Sequence, residues 1–219
     1  MAQLRQAVYR FLAALFLYPQ RERVAQLIEA TQVLHTEEEA FAVFPFFLPW
    51  RRLLHRLRGE ELLQTVELEE EYTRLFMTGP AGPLCSPYAS SYLDPDRMAV
   101  GRIPAQLEQE YAAAGLMLSP SLHELPDHVS VELEYMAFLC RQEREAWEGT
   151  VWEEGVKILE RERTFLERHL GRWFPAFARN LKGCDKGGLY GAAAEAAEAF
   201  ILHDLDLLPL LLETLEGVD

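Results

Sequence analysis

The sequence predicts an all-α protein, a single compact helical-bundle domain built as two halves. Three observations carry this reading. Apolar residues recur at three- and four-residue steps along nearly the whole chain. No stretch alternates with period two, and no hairpin turn lies between β-branched runs. No internal repeat of fixed period supports a solenoid. With 219 residues, a soluble chain buries roughly 70% of its unfolded surface, enough for a core without metals or disulfides.

Taken in order, residues 3–17 carry Leu4, Val8, Phe11, Leu12 and Leu15 on one helical face. Tyr18-Pro19 ends that helix, because a proline disfavours the α conformation before it. Residues 21–31 form a second, short helix. Thr36 followed by Glu39 is a capping-box pattern that starts a third. In FAVFPFFLPW (41–50), Pro45 and Pro49 break or kink the helix, and the four Phe and one Trp make either a buried corner or part of an apolar groove wall. A helix over 60–77 puts Leu68, Tyr72, Leu75 and Phe76 on one face, with Glu67, Glu69, Glu70 and Glu71 on its polar side. Residues 78–95 have no period and hold four prolines and two glycines, a loop of the length that often carries function. Further helices follow over about 103–115, 128–148 and 152–173, the last striped by Trp152, Val156, Leu159, Leu166, Leu170 and Trp173. Phe174-Pro175 bends the chain into a short helix, GCDKGG (183–188) is a glycine-rich turn, and an alanine-rich helix (189–203) precedes a leucine-rich final one. The break LSPSLHELPD (118–127) divides an N-terminal half, about 1–117, from a C-terminal half, about 128–219. A hinge at 118–127 also permits a domain-swapped homodimer.

Composition narrows the classes. Lys plus Arg total 21 and Asp plus Glu total 35, a net charge of −14. Such a surface opposes nonspecific nucleic-acid binding, which needs clustered cations, and attracts cations, basic peptides included. The 49% hydrophobic content excludes a wholly disordered chain. No run of about 18 apolar residues marks a transmembrane helix. The N-terminus reads as an amphipathic helix rather than a signal peptide, so the expected compartment is the cytoplasm.

The signatures of familiar enzymes and cofactors fail on spacing. Cys85, Cys140 and Cys184 form no CxxC pair and suggest neither a zinc or iron–sulfur framework nor a secreted disulfide scaffold. HELPDH (123–128) separates its two histidines by five positions rather than four, with Pro126 between. None of the six histidines has a Glu three residues before it, as a di-iron bundle needs. GCDKGG lacks the spacing of a phosphate-binding loop, and there is no GxSxG elbow. The residues alone therefore point to a binding protein rather than an enzyme, with no catalytic residue, no metal site and no cofactor.

Two stretches carry a resemblance: EEEYTRLFMTGPAGPLCSPYASSYL (69–93) and HELPDHVSVELEYMAFL (123–139). They are similar to the TorD/DmsD family of cytoplasmic chaperones, the redox-enzyme maturation proteins. The matching elements are Tyr72, Leu75, Phe76, Pro87, Tyr88 and Ser90, then Glu124, Pro126, Asp127, His128, Glu132, Leu133, Glu134, Tyr135 and Met136. FLERHLGRWFPAF (165–177) is a weaker match. The resemblance implies a non-enzymatic chaperone that binds the twin-arginine signal peptide and apo-form of a molybdopterin-containing oxidoreductase, holding it for cofactor insertion and preventing premature export. It implies Tyr72, Leu75, Phe76, Pro87, Tyr88, Ser90, Glu124, Asp127, His128 and Glu132 as client-binding residues. Where the family loop commonly reads Pro-Pro-Tyr-Glu-Ser, Ser86 stands for the first Pro and Ala89 for the Glu, so one candidate carboxylate is missing.

The residue chemistry is compatible with that implication. Arginines prefer planar carboxylates that accept two hydrogen bonds, and an apolar segment docks in an apolar groove. The 67–76 helix offers both on adjacent faces, and Glu124 and Asp127 add further acid. Plainer readings stand beside these. Tyr72, Leu75 and Phe76 at helical spacing are also what a core needs. Tyr88 could anchor its loop, and Asp127 stands where a helix N-cap is expected. The alternative function is a helical enzyme or carrier that handles the molybdopterin cofactor or a nucleotide directly.

Overall fold

The computed structural model describes residues 1–36, 38–58, 65–77, 82–94, 101–119, 121–185 and 187–216. Among these residues the protein is all-α, with helices α1 (Ala2–Leu15), α2 (Arg21–Thr36), α3 (Glu38–Phe41), α4 (Phe47–Leu57), α5 (Thr65–Tyr72), α6 (Ser90–Leu93), α7 (Arg102–Ala113), α8 (Val129–Glu148), α9 (Trp152–Arg168), α10 (Leu170–Cys184) and α11 (Leu189–Glu216). A π-helical turn, Thr73–Met77, extends α5. No helix among the described residues is long and apolar enough to cross a membrane.

The chain makes two compact units that interleave in sequence. The first comprises 1–13, 87–173 and 205–219, the second 14–86 and 174–204. The 118–127 break, expected between two halves, lies within the first unit. Tyr111 Oη pins it by donating to Pro126 O at 2.9 Å.

The first unit is organised by α8 and α9. Val129, Leu133, Met136 and Cys140 are fully buried on α8, as their three- and four-residue spacing predicts. α9 returns antiparallel after a tight turn, and Gly155 lets it press against Trp147: a Cβ there would sit 2.4 Å from the indole ring. Beneath this hairpin, Arg5 of α1 donates to Glu143 at 2.9 Å and also pairs with Glu162. All three residues are buried, and removing one partner from such a network costs roughly 3–5 kcal/mol. In the second unit the core is aromatic. Phe41 stacks on Trp50 at 5.6 Å, and Phe46 meets Phe200 edge-on at 5.1 Å. Phe41, Phe46 and Trp50 of the 41–50 segment thus form a buried corner, while Val43 and Leu48 are exposed and Pro49 lies in the first turn of α4.

Several boundaries differ from the sequence expectation. α2 runs on to Thr36, so Thr36 ends one helix instead of capping the next. α4 was not anticipated. The 152–173 helix breaks at His169, whose φ of −123° and ψ of −97° are not helical, and Trp173 and Pro175 belong to α10. Gly171 permits the close turn there, since a Cβ would lie 2.6 Å from the Leu166 carbonyl oxygen. The two expected C-terminal helices are one, α11, with Pro209 inside it. Residues 60–64 of the expected 60–77 helix, 78–81 and 95 of the following loop, and Lys186 of the glycine-rich turn lie outside the described residues.

Candidate functional site

In the first unit the Pro87–Ser90 segment joins the start of α8. Val129 N–H donates to Pro87 O at 2.8 Å and Ala89 N–H to Asp127 O at 2.9 Å, which makes an antiparallel bridge between Tyr88 and His128. The two sequence motifs, distant in the chain, therefore meet through backbone hydrogen bonds. Pro87, Tyr88, Ser90, Glu124, Asp127 and His128 are brought into one cluster.

The capping roles differ from those predicted. His128, not Asp127, is the N-cap of α8: its Nδ1 accepts from Ser130 N–H at 3.2 Å, with Ser130 Oγ 2.7 Å away. That assigns the remaining ring proton to Nε2. Burial holds the His128 pKa down to about 4, so the ring is neutral near pH 7. Asp127 Oδ2 instead accepts from Ser90 N–H at 3.0 Å, at the start of α6. The start of α6 supplies this partner, and no local pattern around 127 encodes it.

Two buried polar atoms of this cluster have no hydrogen-bond partner among the described residues, Asp127 Oδ1 and His128 Nε2. An unsatisfied buried group costs roughly 1–3 kcal/mol, and native proteins keep few of them. One is an acceptor and the other a donor. Over them lie two less buried side chains. Tyr88 packs edge-on against the His128 ring at 5.2 Å, and its hydroxyl donates to Glu124 Oε2 at 2.7 Å. Glu124 Oε2 also lies 3.9 Å from His128 Nε2. On the same stretch Met117 and Leu125 are exposed, at 93% and 53%.

Glu132 sits one helical turn into α8, fully buried, and both its carboxylate oxygens lie 3.1 Å from Trp173 Nε1, which donates to them. Burial first, with the charges of Asp127 and Glu110 adding, raises its pKa well above the ordinary carboxylate range. Its bond with Trp173 ties α10 to α8, in surroundings that favour the protonated acid. Trp173, which also stacks on Tyr92 at 5.5 Å, and Tyr111 were missed as site residues. Trp173 was read as part of an apolar stripe and of the weaker 165–177 match, and neither reveals which polar group it serves.

Tyr72, Leu75 and Phe76 lie in the second unit, buried at 3%, 0% and 5%. Phe76 packs against Tyr190 at 5.2 Å and Tyr72 against Phe76 at 4.8 Å, while Tyr72 Oη donates to Phe16 O at 3.2 Å. The apolar face predicted to border a groove is thus taken up by the unit's own core. The acidic face is exposed or half-buried, with Glu71 paired to Arg74. A cavity of about 960 Å³ in this unit is lined by Arg51, Arg52, His55, Arg56, Lys182 and Asp185, among others, and by none of the predicted site residues. In the first unit, Cys140 and the carboxylates of Glu143 and Glu162 offer ligand atoms within 4.8 Å of one another. The Arg5 guanidinium already supplies positive charge to both acids there.

Residues 46–179 match the family model described as nitrate reductase delta subunit. The chain is 30% identical over 163 residues to a chaperone protein TorD of Vibrio cholerae, covering 73% of this chain and 70% of that one. It is 34% identical over 154 residues to the selenate reductase assembly chaperone protein of Thauera selenatis, covering 68% and 77%. It is 32% identical over 136 residues to the chlorate reductase assembly chaperone protein of Ideonella dechloratans, covering 62% and 68%. The crystal structure of a candidate redox enzyme maturation protein from Archaeoglobus fulgidus matches with a TM-score of 0.60 at 20% identity, over 90% of this chain and 93% of that one, so the two share a fold.

Proposed function

This chain belongs to the nitrate reductase delta subunit family, with TorD chaperones among its relatives, and from that premise we propose that it is a system-specific chaperone of a molybdopterin-containing oxidoreductase. It binds the twin-arginine signal peptide and the apo-form of that enzyme in the cytoplasm, holds it for cofactor insertion and prevents premature export. It catalyses no reaction. The observation that carries this reading is the pair of buried, unpartnered atoms, Asp127 Oδ1 and His128 Nε2, beneath the Tyr88–Glu124 hydrogen bond. A peptide answers both: a guanidinium donates to carboxylates, bidentately where geometry allows, and a backbone carbonyl accepts from the imidazole N–H. Leu125 and Met117, exposed on the same stretch, suit the apolar segment that follows the arginines.

In this reading Glu124, Asp127, Tyr88 and His128 contact the client. Pro87, Ser90 and Glu132 hold the frame that presents them. Tyr72, Leu75 and Phe76 act by supporting their own unit rather than by touching the peptide. The test is titration calorimetry with a synthetic twin-arginine peptide. Binding near micromolar, about 8 kcal/mol, is expected, weakening as salt rises because exposed charges are screened. Replacing both arginines by alanine should lower the affinity at least tenfold; equal affinity would remove the electrostatic part of the proposal.

One observation favours the alternative of a carrier for the molybdopterin cofactor or a nucleotide. It is the excess of cations in the lining of the second unit's cavity, where Arg51, Arg52, Arg56 and Lys182 outnumber Asp185 and Glu195, in a chain of net charge −14. Titration with nucleotides in place of peptide separates the two readings.

A further inference from the structure

The cavity of the second unit draws its charge from one helix face. On α4, Trp50, Leu53, Leu54 and Leu57 are buried. The residues between them, Arg51, Arg52, His55 and Arg56, are exposed, and all four line the cavity of about 960 Å³. Lys182 of α10 joins them. Like charges four apart on a helix, as Arg52 and Arg56 are, repel each other, and an anion between them relieves that repulsion.

The acids of the lining do not cancel this charge. Asp185 Oδ2 accepts from Gly191 N–H at 2.7 Å, and the backbone is close enough there that a Cβ at Gly191 would lie 2.6 Å from Asp185 O. Asp185 thus serves the start of α11. Glu195 pairs with Arg52 at 2.7 Å, both side chains exposed, and exposed pairs of this kind are weak. Lys182 pairs with Glu198 at 2.7 Å. Among the described residues no carboxylate pairs with Arg51 or Arg56. Arg51 lies over the Phe47 ring, 5.3 Å from its centroid, and Arg56 Nη2 would lie 3.6 Å from a Cβ at Gly187.

The rest of the lining decides which anion fits. A base is held by stacking on aromatic side chains and by hydrogen bonds to its edges. Among the described residues the lining includes no Phe, Tyr or Trp, and no Ser, Thr, Asn or Gln. Arginine forks bind phosphate oxygens two at a time, and the volume suits a small molecule.

We propose that this cavity binds the polyphosphate group of a small molecule by charge alone, without reading what the group is attached to. Arg51 and Arg56 supply the first charges. Arg52 and Lys182 turn from Glu195 and Glu198 as the anion enters. The inference rests on the carrier reading, whose recognised group it names, and is independent of peptide binding, because none of the predicted client residues lines the cavity.

The test is titration calorimetry of the purified full-length protein, in magnesium-free buffer of low salt, with inorganic phosphate, pyrophosphate, tripolyphosphate, ATP and GTP. Affinity should rise from phosphate to tripolyphosphate. Tripolyphosphate, ATP and GTP should bind with dissociation constants within about threefold of one another, and added salt should weaken all three alike. The double variant Arg51→Gln with Arg56→Gln, on an exposed face, should melt as wild type and lose about tenfold or more in affinity for tripolyphosphate. Arg102→Gln, at the exposed start of α7, should bind as wild type. ATP or GTP binding about tenfold or more tighter than tripolyphosphate would overturn the proposal and leave the carrier reading standing. No saturable binding of any of the five would overturn both it and the nucleotide carrier. Full tripolyphosphate affinity in the double variant would overturn the assignment of the site to this cavity.

Discussion

The α5 segment with its π-helical turn, in the second unit, and the 124–132 segment, in the first, use the same residue types, carboxylates beside aromatic rings, to different ends. In the second unit the rings of Tyr72 and Phe76 pack with Tyr190, the Tyr72 hydroxyl reaches Phe16 O, and the acids face outward or pair with Arg74. In the first unit the acids are inside. Glu132 and Asp127 are fully buried, one carboxylate oxygen of Asp127 lacks a partner, and so does the imidazole Nε2 of His128. The second unit has put its aromatic motif into stability. The first retains polar groups whose hydrogen bonds are not completed among the described residues, the pattern expected where a partner is to supply them.

The comparison breaks most visibly in stability. Phe76→Ala removes a ring from the second unit's core and should cost roughly 3–5 kcal/mol, read by urea unfolding. Peptide affinity of the folded fraction should change less than about twofold, corresponding to under roughly 0.4 kcal/mol. A large loss of affinity with little loss of stability would mean that Phe76 touches the client.

The pH dependence of stability sharpens the other side. Glu132 has a folded pKa above the ordinary 4.5. As pH rises past that value the unfolded chain releases a proton that the folded chain keeps, so stability falls, by up to about 1.4 kcal/mol per pH unit. His128 acts in the opposite sense. Its folded pKa is about 4 against 6.5 when unfolded, so its contribution is complete above about pH 6.5 and is lost as pH falls toward 4. The two slopes oppose each other between pH 4.5 and 6.5, and above that window Glu132 acts alone. Glu132→Gln keeps an acceptor for Trp173 and removes the titration. Its stability relative to wild type should rise as pH increases above 6.5, with a slope of at most about 1.4 kcal/mol per pH unit, measured by thermal or urea unfolding between pH 6.5 and 8.5. Parallel curves for the two proteins would show that Glu132 is ionised in the fold.

Much of this was legible in the chain. α1, α7 and α8 follow apolar periodicity within a few residues of the expected ends, because each buries one continuous face. What escaped were features set by distant partners. The stripe of Leu159, Leu166, Leu170 and Trp173 runs through the break at His169, since periodicity does not register a tight turn that Gly171 makes sterically possible. α11 continues where a shift from alanine to leucine suggested a boundary, because small and large residues can share one buried face. The two motifs hold the residues that meet in the first-unit cluster, yet Asp127 looked like a local cap. Its true partner, Ser90 N–H, lies 37 positions away, a pairing that only the Tyr88–His128 bridge creates.

The claim that Asp127 is kept for a partner is tested most directly by Asp127→Asn, followed by melting and by titration with the twin-arginine peptide. Asn retains an oxygen to accept from Ser90 N–H but carries no charge for an arginine. The expected result is a Tm within a degree or two of wild type, under about 1 kcal/mol, and peptide affinity reduced about tenfold, or 1.4 kcal/mol. Wild-type affinity in Asp127→Asn would contradict the account and leave the Asp127 carboxylate a purely structural group.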